Sequence, residues 1–152
     1  MQVDTVTQPA LRVAAIRHKG AYTTIGEAFT RLGTIAAEEG LFSPGALMLG
    51  LYHDDPQTTP ESQLRSDAAI TLNVNAKAPA GTEEATVPAG RYARATHTGP
   101  YEGLPNAWAE LMAWVGQNGK TPGNGVSYEL YRNDPTDTAP EDLITELYVP
   151  LA

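Results

Sequence analysis

HTGPYEGLPNAW, residues 97–108, follows HKGAYTTIGEAF, residues 18–29, at a distance of 79 residues. Both stretches write His-x-Gly-x-Tyr ahead of a segment with helical spacing, and both place an aromatic seven residues beyond the tyrosine, Phe29 in one and Trp108 in the other. The same offset runs without a gap from Arg12/Arg91 to Leu72/Leu151 and keeps about fifteen identities in about sixty-one positions. They fall at turns, helix ends and apolar positions: Gly20/Gly99, Tyr22/Tyr101, Leu32/Leu111, Gly40/Gly119, Leu51-Tyr52/Leu130-Tyr131 and Asp55-Pro56/Asp134-Pro135. A period this long, occurring twice, describes a duplicated module rather than a solenoid.

Each copy has the same local grammar. RVAAIRH (12–18) and RYARATH (91–97) have strand length and end at a glycine turn. Ile25, Ala28, Phe29, Leu32, Ile35 and Ala36 form one helical stripe, and Leu104, Ala107, Trp108, Leu111, Trp114 and Val115 repeat it. Thr24 and Glu27 have capping-box spacing at the first helix start, Pro105 suits the first turn of the second, and Gly40 and Gly119 suit the ends. Two further strands follow in each copy, LMLGLYH and AAITLNV, then VSYELYR and ITELYVPL, separated by Asp/Pro-rich turns. The predicted fold is α+β. It is a tandem strand-helix-strand-strand duplication over 12–72 and 91–151, with a connector at 75–90, giving two antiparallel sheets related by a pseudo-twofold axis around a central ligand cleft. The whole of 1–152 reads as one domain. His-x-Gly-x-Tyr itself has a structural reading: glycine supplies turn freedom, tyrosine packs, and histidine ties down the strand end.

Composition narrows the function. Eighteen acidic residues stand against ten basic ones, a net charge of −8 that repels a phosphate backbone, so no direct nucleic-acid binding is expected. There is no cysteine, and His18, His53 and His97 lack ligand spacing, so neither a metal site nor a cofactor is expected. The N-terminus lacks a signal-like apolar stretch and no run is long enough for a membrane span, which predicts a cytoplasmic protein with no membrane partner.

With VPAGRYARATHTGPY, the Trp114 segment, YELYRNDP and ELYVPL in that order, the chain resembles the GyrI-like (gyrase-inhibitor-like) small-molecule-binding family, which includes effector-binding halves of multidrug-responsive transcription regulators. The resemblance covers nearly the whole chain. It implies paired strand-helix-strand-strand modules around a cleft that takes amphipathic, often cationic, aromatic compounds. Some members of the family hydrolyse cyclopropane-bearing genotoxins. No helix-turn-helix domain fits ahead of Arg12, so a DNA-binding regulator is not expected.

Strand alternation supplies the candidate site. In VSYELYR, Val126, Tyr128 and Leu130 share one face and Ser127, Glu129 and Tyr131 the other; in ITELYVPL the faces are Thr145, Leu147, Val149 and Ile144, Glu146, Tyr148. If the more aliphatic faces meet the helices, Glu129, Tyr131, Glu146 and Tyr148 look together into the cleft. On the same rule the first copy contributes Met48, Gly50, Tyr52, Asp67, Ala69 and Thr71, with Gly50 at the repeat position of Glu129. Trp108 and Trp114 lie on the apolar helix stripe and are expected in the core, with Trp108 also counted as a wall of the cleft. Aromatic faces with a committed acid suit a flat, lipophilic cation or aromatic ligand. Glu129 is the preferred charge partner, being flanked by tyrosines in the matched motif; for Glu146 a solvated sheet face is an equal reading.

Three functions follow. The first is a stand-alone module that binds such ligands. The second is a hydrolase that opens strained rings, with Glu129 as general base and Tyr131 or Tyr52 as hydrogen-bond donor to the departing oxygen, aided by a raised carboxyl pKa. The third is a protein that binds a macromolecular partner, such as a gyrase modulator, through its acidic surface.

Overall fold

The computed structural model describes all 152 residues. Along the chain run β1 (Val3–Gln8), β2 (Leu11–Lys19), α1 (Gly26–Glu38), β3 (Met48–Tyr52), β4 (Arg65–Thr71), β5 (Glu83–Val87), β6 (Gly90–Thr98), α2 (Leu104–Gln117), β7 (Ser127–Tyr131) and β8 (Ile144–Pro150). The fold is α+β, and the residues gather into two compact units.

The unit Ala10–Pro88 has the antiparallel strand order β3-β4-β2-β5. Its helix α1 buries Ala28, Leu32 and Ala36 against Ala14, Ile16, Ala68 and Ile70. The second unit, Ala89–Ala152 with Met1–Pro9, has the antiparallel order β1-β6-β8-β7. There α2 buries Leu104, Ala107, Leu111 and Val115 against Ala93, Ala95, Leu147 and Val149. The helical stripes expected from the sequence are the faces that pack. In each unit, strand, helix, strand and strand follow one another in sequence.

Two strands were not anticipated. β5 lies inside the stretch assigned as a connector, and β1 lies ahead of the first repeat. Both are short and polar, VDTVTQ and EEATV, so period-2 alternation hardly marks them. Their pairing is crossed. β1 leads directly into β2 but pairs with β6, while β5 leads directly into β6 but pairs with β2.

The His-x-Gly-x-Tyr turns are alike. Gly20 and Gly99 have φ of +115° and +136°, which an L side chain adopts only under strain, and their N–H groups donate to the Leu64 and Leu143 carbonyls at 2.8 Å. His18 Nε2 lies 3.0 Å from the Ala21 carbonyl and His97 Nε2 3.0 Å from that of Pro100, so each imidazole ties down the turn after its strand. The expected Thr24–Glu27 capping box does not form. A 3-10 turn, Tyr22–Thr24, precedes α1, and the Thr24 hydroxyl instead donates to Ala21 O and meets the His18 ring. No helix is long and apolar enough to cross a membrane.

Candidate functional site

Residues directly opposite each other in a sheet present their side chains to the same face, so register decides what the site contains. Glu129 stands opposite Leu147 and Tyr131 opposite Thr145, while Tyr128 pairs with Tyr148 and Leu130 with Glu146. Leu147 belongs to the core under α2. Glu129 and Tyr131 therefore face α2, and Glu146 and Tyr148 face away from it. The expected grouping of all four on one surface is incorrect. The rule that the more aliphatic face meets the helix fails because Tyr128, Glu129 and Leu130 are all buried, so β7 has no dry-to-wet contrast for polarity to follow.

The same correction applies in the unit Ala10–Pro88. Met48 pairs with Ile70, Gly50 with Ala68 and Tyr52 with Ser66. Because Ala68 and Ile70 pack under α1, Met48, Gly50 and Tyr52 lie on its side, and Asp67, Ala69 and Thr71 lie on the other.

On the α2 side, Glu129 is only 5% exposed. Trp108 Nε1–H donates to its Oε2 at 2.6 Å, and the Tyr131 hydroxyl donates to its Oε1 at 2.6 Å. Burying a carboxylate is expensive unless its oxygens are satisfied, and here the donors are the polar tips of two aromatic side chains. The Tyr101 ring packs 5.7 Å from that of Tyr131. Burial, and then the charges of Asp134 and Glu129, raise the Tyr101 pKa and keep its hydroxyl protonated. In the other unit, Tyr22 packs edge-on to Tyr52 at 4.9 Å and its hydroxyl donates to Asp54 O at 2.6 Å. In both copies, the tyrosine of His-x-Gly-x-Tyr thus sits against the tyrosine of the Leu-Tyr strand end.

Trp108, Glu129 and Tyr131 come together as a constellation; Glu146 and Tyr148 form a different one. The Tyr148 hydroxyl donates to Glu146 Oε1 at 2.6 Å, and Arg132 holds both Glu146 oxygens at 2.9 Å through Nε and Nη2. Burial alone would raise the Glu146 pKa, but the hydrogen bonds from Arg132 and Tyr148 outweigh it and leave the carboxyl below its ordinary value. Burial and the neighbouring Glu146 push the Tyr148 hydroxyl up to about 12. The Tyr148 ring stacks on Tyr128 at 4.5 Å, with Tyr92 edge-on to both. This arrangement is closed on itself by a fixed cation and reads as structural.

Asp67, named from strand alternation and only 4% exposed, gathers a polar group with Arg17 and His53 that sequence reasoning missed. Arg17 Nε donates to Oδ1 at 2.6 Å, and His53 Nε2 lies 2.6 Å from Oδ2. Burial pushes the Asp67 pKa up, but the bonds from His53 and Arg17 bring it below the ordinary value. Arg17 and Asp67 face each other across the β2–β4 pair, and only that register could have revealed it.

Comparison with known proteins places this geometry in context. The family described as the GyrI-like small molecule binding domain matches residues 1–152. The chain is 34% identical over 131 residues to "DNA gyrase inhibitor 2" of Dickeya dadantii, covering 83% of this chain and 82% of that protein. Its fold matches the EcmrR C-terminal domain with a TM-score of 0.79 at 23% identity, over 99% of this chain and 97% of that one. Against the longer EcmrR chain in a DNA complex, it spans 57% of the length. It also matches SAV2435 bound to tetraphenylphosphonium, with a TM-score of 0.69 at 18% identity, over 100% of this chain and 94% of that one.

Proposed function

Because this chain belongs to the GyrI-like small-molecule-binding domain family, we propose that it binds lipophilic cationic or aromatic molecules at the α2-facing surface of β7, with Glu129 as the charge partner. The observation that carries this reading is the buried carboxylate held by Trp108 and Tyr131. The tyrosine and indole fix its two oxygens in a dry, aromatic setting, where Coulomb attraction to a cation is stronger than in water. Aromatic faces beside it attract the same cation through their quadrupoles. Tetraphenylphosphonium, the compound bound to SAV2435, has this chemistry: one delocalised positive charge inside an aromatic shell.

Titration with tetraphenylphosphonium and with neutral triphenylphosphine oxide, followed by tryptophan fluorescence, tests the assignment. Glu129→Gln keeps the shape and removes the charge. A charge-assisted contact is worth roughly 1.5–3 kcal/mol, so the variant should bind the cation about tenfold to a hundredfold more weakly and the neutral compound unchanged. Equal cation affinity in parent and variant removes Glu129 from the role.

The same carboxylate would serve a strained-ring hydrolase by taking a proton from water, with Tyr131 as donor to the departing group. Both Glu129 oxygens already accept bonds from aromatic donors, which favours binding over proton abstraction. The likeness to a gyrase inhibitor supports a further reading, in which the chain modulates gyrase through its acidic surface. A supercoiling assay with purified gyrase decides that reading; unaltered supercoiling with the chain in excess overturns it.

A further inference from the structure

A recess of about 300 Å³ in the unit Ala10–Pro88 is lined in part by Ile16, Arg17, Arg31, Gly81 and Glu83. We propose that it binds dipeptide-sized zwitterions, with one group of the ligand amide hydrogen-bonded to the open edge of β2, its carboxylate on Arg31 and its ammonium on Glu83.

The edge follows from hydrogen-bond parity. Arg12 O accepts from Leu72 N at 2.9 Å and Gly20 N donates to Leu64 O at 2.8 Å, so even-numbered residues of β2 turn their backbone groups towards β4. Odd-numbered residues turn theirs towards β5, whose pairing ends at Ala15 with Glu83. Arg17 is next in that series, and residue 81 would be its partner. Gly81 has φ +90° and leaves the ladder; the turn is closed instead by Thr82 N donating to Pro79 O at 3.1 Å. No backbone group pairs with the Arg17 N–H and C=O on this side. Its guanidinium is drawn away from the edge by Asp67, 2.6 Å from Nε. What Arg17 offers the recess is a free peptide donor and acceptor, one of which a ligand amide can meet as in strand addition.

The charges complete the match. Glu84 is paired with Arg12 and Asp67 with Arg17 and His53, whereas Arg31 and Glu83 form no ion pair and no side-chain hydrogen bond. The recess therefore presents one uncommitted cation, one uncommitted anion and an amide edge. A simple anion satisfies Arg31 but leaves Glu83 and the edge unused; a polyamine meets Glu83 but is repelled by Arg31. A dipeptide carries all three complements, and a volume at the small end for ligand pockets suits its size.

Amide chemical-shift titration of the full chain with Ala-Ala, N-acetyl-Ala-Ala and Ala-Ala amide tests the proposal. Ala-Ala should move the Arg17 and Gly81 amide signals and slow hydrogen exchange at Arg17. Blocking either terminus should weaken binding about two- to fivefold, the scale of an exposed ion pair. Arg31→Gln should reduce binding of Ala-Ala and of its N-acetyl form while leaving the amide form as in the parent, and Glu83→Gln should do the converse. Both positions are exposed, so the parent amide spectrum should otherwise be retained. Unmoved Arg17 and Gly81 signals at about 10 mM Ala-Ala, far into the weak-binding range, overturn the site, as does equal binding of all three compounds. Glu129→Gln should leave this titration unchanged, which separates the outcome from that of the aromatic site.

Discussion

Gly103→Ala examines the turn that joins β6 to α2. Gly103 has φ −82° and ψ −8°, a conformation open to L residues, so the substitution brings little backbone strain. The difficulty is space. A Cβ there would lie 2.7 Å from His97 Cε1 and 3.1 Å from Nε2. The ring cannot withdraw without loosening its contact with Pro100 O, 3.0 Å from Nε2. Overpacking costs roughly 1–3 kcal/mol and a lost hydrogen bond about 1 kcal/mol, but the imidazole is half-buried and has somewhere to go, so about 1–2 kcal/mol is expected. For a chain of this size, that lowers Tm by about 2–8 °C. In a His97→Ala background the collision is gone. Gly103→Ala should then be neutral, or stabilising by about 0.4–1 kcal/mol through the reduced freedom of the unfolded chain. A double-mutant cycle by urea unfolding should show a coupling of about 2 kcal/mol. Equal penalties in the two backgrounds would refute the packing argument. In the first copy Thr24 occupies the corresponding position and meets His18 Nε2 through its hydroxyl at 2.8 Å, so each copy resolves the same crowding differently.

Gly99→Val and Gly20→Val should each lose about 1–3 kcal/mol because their positive φ strains a β-branched residue, and differential scanning calorimetry should show a lower Tm. Unchanged melting in both would contradict the structural reading of His-x-Gly-x-Tyr. The Glu146 pKa is depressed below 4.5 in the folded chain, so its contribution is fully present above about pH 4.5 and disappears as pH falls through the folded value. The Tm gap between parent and Glu146→Gln should accordingly be widest near neutrality and close on acidification below pH 4.5; a gap that is constant with pH removes the ion pair as its source.

The repeat and the helical stripes could be read from sequence because each carries a period or a turn signal. Ala28, Leu32 and Ala36 are buried where the stripe placed them. Face assignment on β3 and β7 could not be read in that way: Leu49 through Leu51 are buried in succession, as are Tyr128 through Leu130, so neither strand has a wet face to tell the two sides apart. One available clue was Trp108. A tryptophan on a sheet-facing stripe needs an acceptor for its N–H, and Glu129 was the acid within the facing strand motif. The edge strands were also within reach, since the offset of 79 extends upstream through Thr7/Thr86, Pro9/Pro88 and Ala10/Ala89. The Arg17–Asp67 pairing and the open edge at Gly81 depend on register and on one backbone angle, which no local pattern encodes.

The crossed pairing of β1 and β5 bears on how such a chain can be divided or inherited. A single repeat carries its leading strand but does not use it, because that strand completes the other repeat's sheet. Two separate copies would satisfy each other by reciprocal exchange, as in a domain-swapped dimer. Joining them in one polypeptide converts that association into an intramolecular event governed by effective concentration rather than by expression level. Within one polypeptide the two repeats need not match position by position, and Gly50 in one stands where the other has Glu129, a contrast that an exchanged dimer of identical halves could not present.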